Sequence, residues 1–251
     1  MKKITSLILL TCVLITSVIT LASCIHECEF TDEWTADESS HWHNCSNEKC
    51  EEISDKANHT WDEGIITTKA TQESDGVKIF TCSVCNNTKN ESVAFTGLSQ
   101  EDWNEIFSQE NFKNFTYFEE AVVTANGIEV TTSGLYKFTE TKAYCLVSAA
   151  GQTAEDTLTG LEATNTKKQM VDSILSLAKY EIFEYDAENK IYNLTGEMEI
   201  ASLNTTAKSA TLKFENGKPV QLIYTCDIVS QGIVMECIST VNFSDFGTTE
   251  I

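Results

Sequence analysis

Every histidine of the chain (His26, His41, His43 and His59) and five of its cysteines (Cys28, Cys45, Cys50, Cys82 and Cys85) fall between residues 26 and 85. The same stretch is poor in apolar side chains. From Ile25 to Val93 a hydrophobic core alone would hardly fold the chain, and segments of that size usually borrow a metal or disulfides. After Phe95 there is no histidine, and the cysteines are Cys145, Cys226 and Cys237. A length of 251 residues, less a leader, holds one ordinary domain and one small one. The residue types therefore predict a division at about residue 96, with residues 24–96 as a cysteine and histidine module and 97–251 as a second domain.

Within the module, Cys45 and Cys50 enclose Ser46 to Lys49, Cys82 and Cys85 enclose Ser83 and Val84, and His41-Trp42-His43 stands just before the first pair. Thiolate and imidazole at such spacings suit tetrahedral zinc. Two ligand sets are open. In one, Cys45, Cys50 and His59 bind a metal that His43 or His41 completes; in the other, Cys45, Cys50, Cys82 and Cys85 form a four-sulfur site. Alternation along a strand puts His41 and His43 on one face, so either can serve. Two small-loop disulfides, which an oxidising exterior permits, or unpaired thiols are the alternatives to zinc. A redox role for Cys82 and Cys85 would want a helix after the first cysteine, whereas Asn86-Asn87-Thr88 reads as a turn. Catalytic zinc would want an open coordination position and a general base, such as a His-Glu-x-x-His helix provides, and that motif does not occur.

The module also echoes itself, His26-Glu27-Cys28 through Cys45 paralleling His59-Thr60-Trp61 through Cys82. With Cys45, Cys50, His59, Trp61, Thr71, Gly76, Phe80, Thr81, Cys82 and Cys85, it resembles the zinc-ribbon-like repeats of bacterial surface proteins over about residues 26 to 93. The first knuckle is two residues longer than that pattern. Where the pattern has glycine after each knuckle, this chain has Glu51 and Asn86. Asn enters the left-handed region readily, but Glu does so at a cost.

Residues 1–23 read as a secretory signal: Met1-Lys2-Lys3 is positive, and Ile4 to Leu21 is uncharged and rich in Leu, Ile and Val. Leu21-Ala22-Ser23-Cys24 resembles the lipobox of bacterial lipoproteins. The resemblance implies cleavage before Cys24 and a diacylglyceryl thioether on its sulfur. A membrane-spanning anchor is the alternative, since about 18 apolar residues can cross a bilayer. Thr5, Thr11, Thr16, Ser17 and Thr20 dilute the stretch, and no basic cluster follows it. Two acyl chains, at about 0.8 kcal/mol per buried methylene, would hold the protein stably. The expected location is the outer face of the bacterial cytoplasmic membrane, with the membrane as partner through the anchor; no protein partner can be named from the sequence.

Without the leader, 15 lysines face 38 acidic residues, a net charge of −23, and there is no arginine. Nucleic-acid binding, which needs clustered Lys and Arg against phosphates, is excluded on this balance. A dedicated phosphate or carboxylate site would normally recruit the bidentate fork of Arg. With neither His nor Arg after residue 95, hydrolysis and phosphoryl transfer lack their usual participants, and the expectation is a protein that is not an enzyme.

In the second domain Ser99 and Asp102 form a reciprocal helix cap, followed by Trp103, Ile106 and Phe107 at helical spacing. Strands 117–125 and 128–132 flank Asn126-Gly127, strands 210–215 and 219–229 flank Asn216-Gly217, and Asn-Gly is the preferred type I′ hairpin turn. A third hairpin turns near Gln231-Gly232. A second helix is expected over 165–179 from the stripe of Met170, Val171, Ile174, Leu175 and Ala178. Counting from the Gln231-Gly232 turn sets Cys226 opposite Cys237, where a disulfide or two buried thiols would fit. The fold class expected is α+β, a small zinc-ribbon-like module followed by a curved antiparallel half-barrel with about two helices. This order, with the closing segments 210–218 and 240–249, resembles the lipoprotein-carrier superfamily of LolA-like and LppX/LprG-like proteins. The resemblance implies an unclosed barrel with an apolar hollow for acyl chains or another hydrophobic ligand. The alternative role is a structural or protein-interaction lipoprotein with no ligand.

Overall fold

The computed structural model describes residues 27–251, so the leader, Cys24 and His26 lie outside the described residues. No helix among the described residues is long and apolar enough to cross a membrane. The fold is mostly antiparallel sheet with two α-helices, an open, curved α+β arrangement. The chain separates into two compact units. One holds Lys78–Glu91 with the described residues up to Thr67, and the other holds Thr68–Val77 and Ser92–Ile251.

The first three strands, β1 (Phe30–Ala36), β2 (Ser40–Cys45) and β3 (Ile53–Asn58), form an antiparallel sheet in the order β1-β2-β3. Strands β4 (Ile65–Thr68), β5 (Gly76–Thr81) and β6 (Thr88–Val93) form a second, in the order β4-β5-β6. β3 is almost wholly exposed and β4 entirely so. The buried side chains up to Thr81 are few: Ser40, His41 and Cys45, with Cys82 just after. Strands so thinly covered by apolar residues need another staple.

After Thr68–Val77 and the end of β6, the second unit continues with α1 (Gln100–Ile106). The Ser99 hydroxyl accepts from the Asp102 N–H at 3.1 Å and donates to its carboxylate at 2.7 Å, the reciprocal cap expected from the sequence. Next come β7 (Phe115–Ala125), β8 (Ile128–Phe138), β9 (Lys142–Ala149) and β10 (Gln152–Thr159), then α2 (Gly160–Leu177). Strands β11 (Phe183–Asp186), β12 (Ile191–Leu194), β13 (Glu199–Ile200), β14 (Thr205–Glu215), β15 (Lys218–Ser230) and β16 (Ile233–Ser244) complete the domain. The main sheet runs β10-β9-β8-β7-β16-β15-β14-β12-β11, with β13 paired to β14. Its hairpins turn on Asn126-Gly127, Asn216-Gly217 and Gln231-Gly232, each pair at positive φ as a type I′ turn demands.

Period-two alternation decides which side chains face inward. Leu222, Tyr224 and Cys226 on β15 and Cys237, Ser239, Val241 and Phe243 on β16 are buried. Over the inward face packs a cluster of rings centred on Trp103, only 1% exposed, with Phe107, Tyr192 and Phe214 at ring distances of 5.2–5.5 Å. The Trp103 indole N–H donates to the Ala178 carbonyl at 2.9 Å, so the ring is satisfied as well as packed. Helix α2 contributes Ala163, Val171 and Ile174 to the same cluster.

Candidate metal centres and ligand groove

β2 brings His41 into the interior of the first unit, where it is 2% exposed. His59 follows β3, and Cys82 and Cys85 follow β5. Their potential donor atoms all lie within 4.8 Å of one another. His41 Nδ1 is 3.5 Å from His59 Nδ1, Cys82 Sγ is 3.9 Å from His41 Nδ1, and Cys85 Sγ is 3.4 Å from His59 Nδ1. Zinc bond lengths of about 2.05 Å to nitrogen and about 2.3 Å to sulfur, at tetrahedral angles, require edges of about 3.4 Å between nitrogens and about 3.6 Å between nitrogen and sulfur. These three of the six edges match that tetrahedron to within a few tenths of an ångström, and the other three are no longer than 4.8 Å.

The surrounding backbone fixes these donors. His59 Nε2 lies 2.9 Å from the Asp37 carbonyl, which makes it the donor nitrogen and leaves Nδ1 to face the cluster. That bond and the Cys82 thiolate raise the His59 pKa. Cys82 is desolvated, which alone would push its thiol up. The N–H groups of Cys85 and Val84, the His59 ring and the Thr60 N–H outweigh this and bring it down to about 5. Desolvation raises Cys85, as does the neighbouring Cys82 sulfur, although the Asn87 N–H opposes them. The knuckle closes where Asn86 N–H donates to the Cys82 carbonyl at 3.0 Å, with Asn86 at φ +59°, the left-handed turn for which Asn is suited.

Cys45 and Cys50 do not join this set. They meet Cys28, and the three sulfurs are mutually within 4.8 Å. Neither ligand set expected from the sequence therefore assembles as written: His59 is parted from Cys45 and Cys50, and the four cysteines 45, 50, 82 and 85 divide between two groups. His43 stands outside both. It shares a face with His41, since both rings contact Trp34, but its ring centre lies 3.8 Å from that of Trp34 and its Nδ1 faces the Glu33 carbonyl at 3.2 Å. Cys28 is the residue that spacing missed, because it lies far upstream of its partners. The His26-Glu27-Cys28 echo was the signal that could have found it. Glu51 avoids the left-handed region, and the first knuckle closes instead through Cys50 N–H donating to the Asn47 carbonyl at 2.8 Å. Cys24, the expected lipidation residue, lies outside the described residues.

In the second unit Cys226 and Cys237 are directly opposite across β15 and β16, both buried and both unbridged thiols. They sit at a boundary on the inward face. Register places Val123, Val130, Val147, Ile228, Met235 and Ile233 on that same face, towards the Asn126-Gly127 and Gln231-Gly232 turns. Here the ring cluster stops: Val130 is 46% and Ile128 69% exposed. A groove of about 290 Å³ lies there, lined by Ala121, Val123, Tyr136, Val147, Leu203 and Ile228 among others. Gly134 contributes by absence, because a Cβ there would come within 2.6 Å of the Tyr136 ring. On the groove wall the Glu119 carboxylate accepts hydrogen bonds from Ser239 at 2.7 Å, Tyr117 at 3.1 Å and Tyr224 at 3.3 Å. A larger hollow of about 590 Å³, near Glu105, Glu110, Lys113 and Glu140, is walled mainly by polar and charged groups and offers an apolar ligand little. No protein-family model matches the chain, and no curated protein matches it.

Proposed function

We propose that the chain is a non-enzymatic lipoprotein, tethered outside the cytoplasmic membrane through acylated Cys24, that holds a small hydrophobic ligand on the open half of its curved sheet. Its first unit is folded around structural zinc at His41, His59, Cys82 and Cys85, a zinc-ribbon-like arrangement. The observation that carries the binding role is the uneven cover of the inward face. Aromatic rings fill one half, while the other leaves Ile128 and Val130 of β8, Val147 of β9 and Ile233 of β16 exposed beside a groove. Exposed aliphatic groups on one concave surface are costly in water, and covering them with an apolar ligand recovers about 25 cal/mol per Å². The groove stands at the small end of the range for ligand sites, which suits a single short acyl chain or a compact ring system. The zinc assignment rests on the donor chemistry and on edges that fit a tetrahedron; a fully ligated Cys₂His₂ centre supplies folding energy and leaves no position for substrate.

The filled aromatic half favours a second reading, in which the domain is a spacer or protein-interaction surface and the exposed aliphatics meet another protein. Titration of the full chain with a fluorescent fatty-acid analogue separates the two. Saturable binding that Val147→Asp weakens at least tenfold, with the thermal midpoint little changed, is the expected result. No saturable signal from the native chain would remove the carrier role and leave the second reading.

A further inference from the structure

The three thiols of Cys28, Cys45 and Cys50 form a separate cluster whose geometry the function above does not use. They come from three segments. Cys28 precedes β1, Cys45 ends β2, and Cys50 closes the turn that follows. Backbone bonds hold them in place: Ser46 N–H donates to the Glu29 carbonyl at 2.7 Å, Cys45 N–H to the Glu52 carbonyl at 3.1 Å, and Cys50 N–H to Asn47 at 2.8 Å. Phe30 pairs with Cys45 across β1 and β2, which brings the residues just before β1 beside the end of β2. The Cys28 and Cys50 sulfurs are 3.1 Å apart, and all three are within 4.8 Å of one another.

We propose that Cys28, Cys45 and Cys50 are three ligands of a second soft-metal site, for zinc, distinct from the His41, His59, Cys82 and Cys85 centre. Three thiolates supply three corners of a tetrahedron whose sulfur edges of about 3.8 Å exceed the 3.1 Å between Cys28 and Cys50, so those two side chains turn apart as the metal enters. The fourth corner falls to a water molecule, since the cluster includes no further His, Cys, Asp or Glu donor among the described residues. A disulfide accounts for the cluster less well, since it uses two of the sulfurs and leaves the third packed beside them with no role. Soft thiolates select zinc or copper(I) over calcium or magnesium, and each ion bound releases the protons of its thiols to solvent. The site shares its metal with the proposed function but none of its ligands, so either can be filled without the other.

The test uses the full chain, purified under reducing conditions and titrated with zinc and with cobalt(II). Two equivalents of zinc are expected, falling to one in Cys28→Ser and to one in Cys82→Ser. Cobalt should give thiolate charge-transfer bands, more intense in Cys82→Ser, which keeps the three-sulfur site, than in Cys28→Ser. Should either variant fail to fold, alkylation of the native chain gives the same answer: zinc should protect Cys28, Cys45 and Cys50 together. One equivalent of zinc with those three thiols alkylated equally fast with and without metal would overturn the proposal, as would a Cys28–Cys50 disulfide found in the peptide map of the exported protein. Loss of one zinc in Cys28→Ser with none lost in Cys82→Ser would count against the first centre and leave the second standing, and the reverse pattern would overturn the second.

Discussion

His59 shows how one residue's surroundings prepare it for a metal. Its Nε2 is committed to the Asp37 carbonyl at 2.9 Å, so the tautomer is set before any ion arrives and Nδ1 presents a lone pair to the cluster. His43, two residues from His41 in the same strand, also sets a ring nitrogen on a carbonyl, Nδ1 to Glu33 at 3.2 Å, but its ring lies against Trp34 and outside the donor cluster. The two histidines should respond oppositely to truncation. His59→Ala is expected to lower zinc affinity by at least 100-fold, beyond the range of about 10–100-fold typical for loss of an outer-shell partner. His43→Ala should leave zinc retention against a competing chelator unchanged and cost about 1 kcal/mol of stability through the lost ring contact. Equal zinc loss in the two variants would remove the distinction. Spacing made both histidines candidates because side chains two apart in a strand share a face, and they do. What spacing could not contain is a bulge: the β2–β3 register shifts between His41 and His43, and only His41 points to the knuckle that returns from β5.

At the scale of elements, β2 is the strand both clusters depend on, since His41 belongs to one group and Cys45 to the other. A sequence reader joins cysteines to near neighbours, which is why Cys45 and Cys50 were expected to take His59 or the second knuckle. The sheet decides otherwise by pairing β1 with β2 and bringing Cys28 alongside. Elements with local signals were legible. The Ser99 cap, the Asn-Gly turns and the Cys226–Cys237 register appear where patterning put them. The Ala150-Gly151 turn was not, because alanine at φ +49° carries no turn signature, and α2 begins at Gly160, before its apolar stripe, with Leu161 76% exposed. The cap of α1 makes a prediction with a pH sign. Ser99 and then Lys69 hold the Asp102 carboxyl below its ordinary value of 3.8. A depressed acid stabilises the fold fully above that value and loses its contribution as pH falls through the lower, folded value. Ser99→Ala should therefore cost about 1 kcal/mol at pH 7, with the gap to the native chain narrowing below about pH 4. Urea unfolding at both pH values checks this, and a gap that widens in acid would contradict the assignment.

For the molecule as a whole, the order of helix, strands, helix and closing meander was readable, but the half-covered inward face was not. It depends on which positions of neighbouring strands are opposite each other, and a one-residue slip would turn Val130 and Val147 outward. The tether is likewise a matter of chain reach. If Cys24 carries the lipid, only three residues separate it from Cys28, and an extended backbone covers at most about 14 Å over those four steps. Cys28 is held to β1 and β2, so the first unit would stand at the level of the lipid headgroups with almost no exposed linker. A surface of net charge −23 would be repelled from anionic lipid there, and the two acyl chains must outweigh that repulsion. In intact cells expressing the full chain, palmitate should label the protein, and Cys24→Ala should abolish both labelling and membrane fractionation. Added protease should fail to release the folded first unit, because a protease cleft needs several extended residues to bind. Insertion of a Gly/Ser segment of about 12 residues after Ile25, roughly 20 Å of flexible reach, should make release efficient while leaving zinc content unchanged. Efficient release without the insertion would mean that the unit is held away from the bilayer, and the short-tether account would fail.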